Sequence, residues 1–197
     1  MRNQSITRLA IFASGTGTNA EAILRYFEDD PNVIIALILS NNPNAGVLDR
    51  AVRFGVPAKV FNREQFRNSD VLGWLQEKAI THIVLAGFLW LIPGSILSAY
   101  PQRILNIHPA LLPKFGGRGM YGSKVHEAVK AASETETGIS IHEVNEHFDE
   151  GKILFQARCK VEPYDTPEEI AQRVHELEYK HFPRVIKEWV TKNKMNG

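Results

Sequence analysis

The first half of this chain alternates short β-branched runs with segments of helical spacing, and that order limits the folds open to it more than any other feature. Leu9 to Ala13 is a short apolar strand. Thr18 to Phe27 follows, with apolar residues at Ala22, Ile23, Tyr26 and Phe27, the spacing of one helical face. Val33 to Leu39 (VIIALIL) is apolar throughout, as a strand covered on both faces must be. Val47 to Phe54 reads as a helix ended by Gly55 and Pro57, and Ala58 to Phe61 as a third strand. Val71 to Ala79 is helical and His82 to Ala86 is another buried strand. Ile96 to Tyr100 fits a short helix, and Arg103 to Ile107 a further strand. This order predicts an α/β fold: a Rossmann-like, mostly parallel twisted sheet with helices on both faces.

After about residue 135 the pattern changes. Gly138 to Val144 and Ile153 to Val161 read as a late antiparallel strand pair. In the second, Ile153, Phe155, Ala157, Cys159 and Val161 alternate with Gln156, Arg158 and Lys160, which predicts one apolar and one polar face. Thr166-Pro167-Glu168-Glu169 then offers an N-cap threonine, proline at the first helical position and glutamate at the capping-box position. A C-terminal helix should run from there to about Trp189, with an interruption near Pro183.

Bulk properties exclude several classes. The 197 residues, 44% of them hydrophobic, suit one domain spanning 1–197. Lys plus Arg number 23 against 22 acidic residues, so the basic excess usual in nucleic-acid binders is missing. Cys159 is the sole cysteine, and no Cys/His cluster has zinc spacing, so neither a disulfide nor a metal is expected. The polar start, Met1 to Thr7, leads into an apolar run that breaks at Ser14. That predicts no signal peptide, no stretch approaches the ~20 apolar residues of a membrane span, and a cytoplasmic protein is expected.

Three segments could carry chemistry. Ser14-Gly15-Thr16-Gly17-Thr18-Asn19 joins the first strand to the first helix. Glycines let the backbone approach a ligand, and a helix start offers unpaired N–H groups to an anion. The spacing is neither the dinucleotide fingerprint nor a P-loop, and the same residues also serve as an ordinary strand–helix turn. Asn106-Ile107-His108-Pro109 closes a predicted central strand. Asn106 and His108 share one side of an extended segment, so amide and imidazole could together bond one developing oxyanion, and the imidazole could move a proton. The alternative is a hydrogen-bonded core histidine. His147-Phe148-Asp149-Glu150-Gly151 forms the turn between the late strands. Asp149 is plain turn chemistry unless the turn folds against His108, where a carboxylate would favour the imidazolium. His142 is a plausible site residue but reads first as structural, and Phe88 to Ile92 could line a slot for a flat ring or belong to the core.

Together these motifs resemble the folate-dependent glycinamide ribonucleotide formyltransferases. The likeness runs from about Arg8 to Trp189. It rests on Ser-Gly-x-Gly-Thr-Asn at 14–19, Leu85-Ala86-Gly87-Phe88, the string from Leu105 to Pro113 (LNIHPALLP), Gly138-x-x-x-His142 and Asp149-x-Gly151. The resemblance implies 10-formyltetrahydrofolate as a donor cosubstrate, glycinamide ribonucleotide as acceptor, and small molecules rather than nucleic acid or membrane as partners. It implies Asn106, His108 and Asp149 as the catalytic trio, and Gly17, Thr18 and Asn19 as the phosphate loop, with Glu178 contacting the ribonucleotide. Leu89, Trp90, Leu91 and Ile92, with Asn145, Glu146, His147 and Phe148, would line the folate pocket. Phosphate binding would then fall in the N-terminal half and folate binding with catalysis in the C-terminal half. The family arginine at the folate could be Arg63 or Arg67. One departure is visible: Lys114 to Gly122 (KFGGRGMYG) replaces a family loop that carries a histidine pair. Transfer to initiator tRNA, formyl-folate hydrolysis, formylation of a sugar nucleotide and a nonenzymatic nucleotide-binding module are the competing readings. The last leaves Asn106, His108 and Asp149 without a role.

Overall fold

The computed structural model describes residues 6–195. Its sheet contains β1 (Thr7–Phe12), β2 (Val33–Ser40), β3 (Ala58–Val60), β4 (His82–Leu85), β5 (Ile104–His108), β6 (Glu136–Glu143) and β7 (Ile153–Lys160). The strand order is β3-β2-β1-β4-β5-β6-β7. The first five strands run parallel, whereas β6 is antiparallel to β5 and β7 to β6. This is the Rossmann-like sheet with a late antiparallel pair that the alternation of elements predicts.

Residues along β1 alternate between two cores. Leu9 and Ile11 join one, with Ile23, Leu24 and Phe27 of α1 (Thr18–Phe27), Val47 and Ala51 of α2 (Val47–Arg53), and Val129 of α6 (Ser123–Ala131). Val174, Phe182 and Ile186 of α7 (Pro167–Met195) complete that layer. Ala10 and Phe12 join the other, with Phe66 of α3 (Arg63–Arg67), Val71 and Leu75 of α4 (Asp70–Glu77) and Ile96 of α5 (Gly94–Ala99). Helices therefore cover both faces. Truncating a fully buried residue such as Ile11 or Leu75 to Ala should cost ~2–5 kcal/mol.

Several elements depart from the sequence reading. The helices α3 and α6 fall in stretches to which the sequence assigns no element. The strand β7 does not keep strict alternation, because a register shift beside His142 pairs Ile141 with Phe155 and His142 with Ile153. Leu154 is the extra residue; it packs on the core, and Ile153 is 41% exposed. α7 is not interrupted: its 29 residues run through Pro183. The buried neighbours Phe182, Val185 and Ile186 hold the turn in which proline lacks its N–H. Its start carries the expected capping box, Glu169 N donating to Thr166 Oγ1 at 3.2 Å and Thr166 N to Glu169 Oε2 at 2.8 Å. Among the described residues no helix is long and apolar enough to cross a membrane.

The topology also places the site. The chain leaves β1 toward β2 on one side, then returns from β3 to β4 on the other. A crevice opens outside the carboxyl ends of β1 and β4 at such a switch point, and ligands of open α/β sheets lie there.

Candidate active site

A cavity of 1320 Å³ occupies that crevice, lined from Ser14–Asn19 at one end to Asn106, His108 and Asp149 at the other. Single ligands usually take ~300–1,000 Å³, so there is room for two.

At the first end the chain turns from β1 into α1. Gly17 adopts φ 76, and a Cβ there would lie 2.7 Å from the Cα and Cβ of Val47. No side chain caps α1, which leaves its first N–H groups available to an anion. Asn19 Nδ2 donates to Glu178 Oε2 at 2.9 Å, tying α1 to α7. Burial pushes the Glu178 carboxyl up to about 7, against the pull of the Asn19 bond. Ser14 links this loop to the next: Leu89 N donates to Ser14 Oγ at 3.1 Å.

At the other end, strand register does the positioning. The antiparallel pairing of β5 with β6 sets Asn106 opposite His142 and His108 opposite Ser140. His142 Nδ1 lies 2.8 Å from the Glu143 carbonyl, and its Nε2 lies 3.0 Å from Asn106 Nδ2. Asp149 arrives from the turn before β7, at φ 59. Gly151 keeps that turn tight, since a Cβ there would run into the Glu143 carbonyl. Asp149 Oδ1 lies 3.4 Å from Asn106 Nδ2 and 3.5 Å from His142 Nε2. Its Oδ2 lies 3.5 Å from His108 Nδ1 and accepts from Gly117 N at 3.0 Å. Asn106, His108 and Asp149 are thus brought together.

The charges of this group are set by competing effects. Burial pushes the His108 imidazole below its usual range, and His142 adds to that; Asp149 and the Phe115 carbonyl, 2.7 Å from Nε2, pull the other way without winning. Burial pushes Asp149 up, but the His142 contact, the His108 charge and the Gly117 N–H outweigh it, and its carboxyl ends below the ordinary value. His108 is therefore neutral near pH 7 beside an ionised Asp149. Asp149 favours the imidazolium, as the sequence suggests, yet burial decides the net direction.

Between the ends, Leu89, Trp90, Leu91 and Ile92 line the cavity, as do Glu146, His147 and Phe148. Leu89 and Leu91 are 42% and 41% exposed, an open apolar wall. Behind it the rings of Phe12, Phe61, Phe66 and Phe88 pack edge-on and tilted, Trp90 closing the group. Asn145 does not line the cavity; its Oδ1 accepts from His147 N at 3.0 Å and closes the turn. Arg63 and Arg67 both reach the cavity, and only Arg63 lies over the Trp90 ring, 4.4 Å from its centroid.

Sequence reasoning passed over His126 and His175, and gave His142 a structural role first. His142 is visible only once β5 and β6 are in register. His175 shares a helical face with Ala171 and Glu178, all lining the cavity, a spacing readable only with Glu178 already in mind. Among the described residues no group of three or more His, Cys, Asp or Glu side chains is placed to hold a metal ion.

Comparison with known proteins fits this geometry. The family model described as formyl transferase matches residues 7–186. The chain is 41% identical over 186 residues to the chloroplastic phosphoribosylglycinamide formyltransferase of Arabidopsis thaliana, covering 91% of this chain and 64% of that one. It is 37% identical to the phosphoribosylglycinamide formyltransferase of Bacillus subtilis, covering 92% and 93%. The crystal structure of the Bacillus halodurans phosphoribosylglycinamide formyltransferase superposes with a TM-score of 0.86 at 34% identity, covering 95% of this chain and 97% of that one.

Proposed function

The chain belongs to the formyl transferase family, and we propose that it transfers the formyl group of 10-formyltetrahydrofolate to the amine of glycinamide ribonucleotide in purine synthesis. One observation carries the reading. A single cavity joins an anion cradle at a helix start to an Asn–His–Asp group, with an apolar slot between them. The ribonucleotide phosphate takes the cradle at Gly17, Thr18 and Asn19, with Glu178 beside the ribose. The pteridine takes the slot against Leu89, Trp90, Leu91 and Ile92 and the turn at Glu146, His147 and Phe148. Arg63, over the Trp90 ring, suits the carboxylates of the folate tail. The chain works as one formyltransferase domain on two small molecules in the cytoplasm.

The chemistry follows from the groups. The amine nitrogen attacks the formyl carbon, whose oxygen becomes an oxyanion. Asn106 Nδ2 lies 3.4 Å from the Asp149 carboxylate, too long for a strong hydrogen bond, so this donor is aimed but not committed, and the oxyanion draws it in. His108 Nε2 donates to the Phe115 carbonyl, which leaves Nδ1 of the neutral ring, 3.5 Å from Asp149, as the proton acceptor. Losing one such donor typically costs ~10²–10³ in rate. The new C–N bond leaves a proton on the amine. Neutral His108 receives it, directly or through one water, and Asp149 stabilises the imidazolium as it forms. The C–N bond to the folate then breaks, the folate nitrogen takes up the proton, and tetrahydrofolate departs. His142 holds the Asn106 amide in place throughout.

The test mixes purified protein with 10-formyltetrahydrofolate and glycinamide ribonucleotide. It reads deformylated folate by absorbance and the formylated ribonucleotide by mass spectrometry. Equal amounts of the two products are expected. Turnover with water or another amine, but not with this acceptor, overturns the proposal.

A further inference from the structure

Two partners of the Asn–His–Asp group are backbone groups, and both come from one turn. The Phe115 carbonyl accepts from His108 Nε2 at 2.7 Å, and Gly117 N donates to Asp149 Oδ2 at 3.0 Å. A carbonyl can only accept, so the first bond keeps the proton of the neutral ring on Nε2. That leaves Nδ1 bare on the side of Asp149, 3.5 Å away. The second bond favours the ionised carboxylate. Two residues of chain thus set both members of the pair.

The turn has little freedom. Phe115 takes φ 56, in the left-handed region that a residue with a bulky side chain rarely enters. Such backbone persists only where its surroundings over-determine it. Here the Phe115 side chain packs against the core that Leu9 and Ile11 join. Gly116 then passes between Leu112 and Asp149. A Cβ there would run into Leu112 Cδ2 and lie 3.3 Å from Asp149 Cβ. Leu112 is buried, so it has little room to swing aside. Gly117 lines the cavity, whereas Gly116 does not.

We infer that the Phe115–Gly117 turn is one positioning element for His108 and Asp149, and that Gly116 is its positioning residue: a bare Cα at 116 lets both backbone bonds form at once. Gly116 acts through the pair and touches neither substrate. The inference rests on the function proposed above and deepens it, giving the start of the divergent loop a task.

The experiment compares wild type with Gly116→Ala, and with Gly116→Ala combined with Leu112→Ala, where the shortened leucine makes room for the methyl. It measures kcat, KM for both substrates, Tm, and the His108 tautomer by nitrogen NMR with the ring neutral. Wild type should carry the ring proton on Nε2. Gly116→Ala should share it between the two nitrogens and lower kcat about 10–100-fold, with both KM values within about twofold. The double variant should regain part of kcat and of the Nε2 preference even as its Tm falls, which a merely structural glycine would not do. A wild-type ring protonated on Nδ1 overturns the inference, whether or not the variants fold. So does a folded Gly116→Ala with kcat near wild type, or one whose kcat falls while the tautomer holds. Wild-type protein that never formylates the ribonucleotide sinks the proposed function instead, and the tautomer then decides the turn by itself.

Discussion

The two ends of the cavity each hold a carboxyl, Glu178 buried and Asp149 half-buried, and the carboxyls are driven in opposite directions. Burial wins at Glu178, where a single amide bond from Asn19 opposes it, and the carboxyl titrates at about 7. At Asp149 burial loses to His142, His108 and a backbone N–H. Paired titratable groups whose surroundings push them apart mark a division of labour. In the proposed reaction an ionised Asp149 would steady a proton as it moves, whereas Glu178, titrating at about 7, would add less negative charge beside the phosphate. The ends differ in construction as well. The first is backbone, a glycine and a helix start with no room for a side chain. The second is assembled from three elements by strand register and a tight turn.

The sharpest way to break this contrast is Asp149→Asn, which keeps the shape and removes the charge. We expect kcat to fall ~10²–10³-fold, with Tm changing far less. Steady-state kinetics with a thermal melt checks it, and a kcat within a few-fold of wild type would make Asp149 a turn residue. Next in size is Gly17→Ala. The left-handed backbone and the approach to Val47 should cost about 1–3 kcal/mol of stability and raise the ribonucleotide KM roughly tenfold, leaving the folate KM alone. Equal rises in both would break the separation of the two ends.

Glu178→Gln sharpens the electrostatic half. The folded-state value of about 7 lies above the unfolded 4.5. Glu178 therefore contributes stability that is fully present below 4.5 and lost as pH rises through 7. The glutamine variant should match wild type near pH 5 and exceed it near pH 8 by on the order of 2 kcal/mol. Denaturant melts at both pH values decide it, and a pH-independent difference counts against the raised carboxyl. The smallest effect is expected from Trp90→Ala. Losing the platform under Arg63 should raise the formyl-folate KM about fivefold, with the ribonucleotide KM unmoved.

Much of this arrangement was readable along the chain because it depends on local order. Strands buried on both faces leave continuous apolar runs, so β2 and β4 stood out, and Asn106 and His108 were visible as neighbours on one strand. What depends on pairing between distant segments was not. The extra residue at Leu154 and the partnership of His142 with Asn106 exist only in the β5–β6–β7 register. α3 spans five residues and α6 nine, too short for periodicity to rise above the glycine-rich and polar stretches around them. Pro183 was read as an interruption because the buried residues that hold its turn come from tertiary packing. His126 and His175 lie on helices whose faces acquire meaning only when α6 packs on α7.

The central claim is that Asn106, His108 and Asp149 act as one unit around a shared oxyanion and proton. A double-mutant cycle on kcat with His108→Ala and Asp149→Asn tests it most directly, with the His108 ring titrated by NMR in wild type and in Asp149→Asn. The account predicts that the two losses together fall well short of their product. It also predicts that the His108 pKa, already low, drops further when the carboxylate charge goes. Losses that multiply, with a histidine that titrates unchanged, would contradict it.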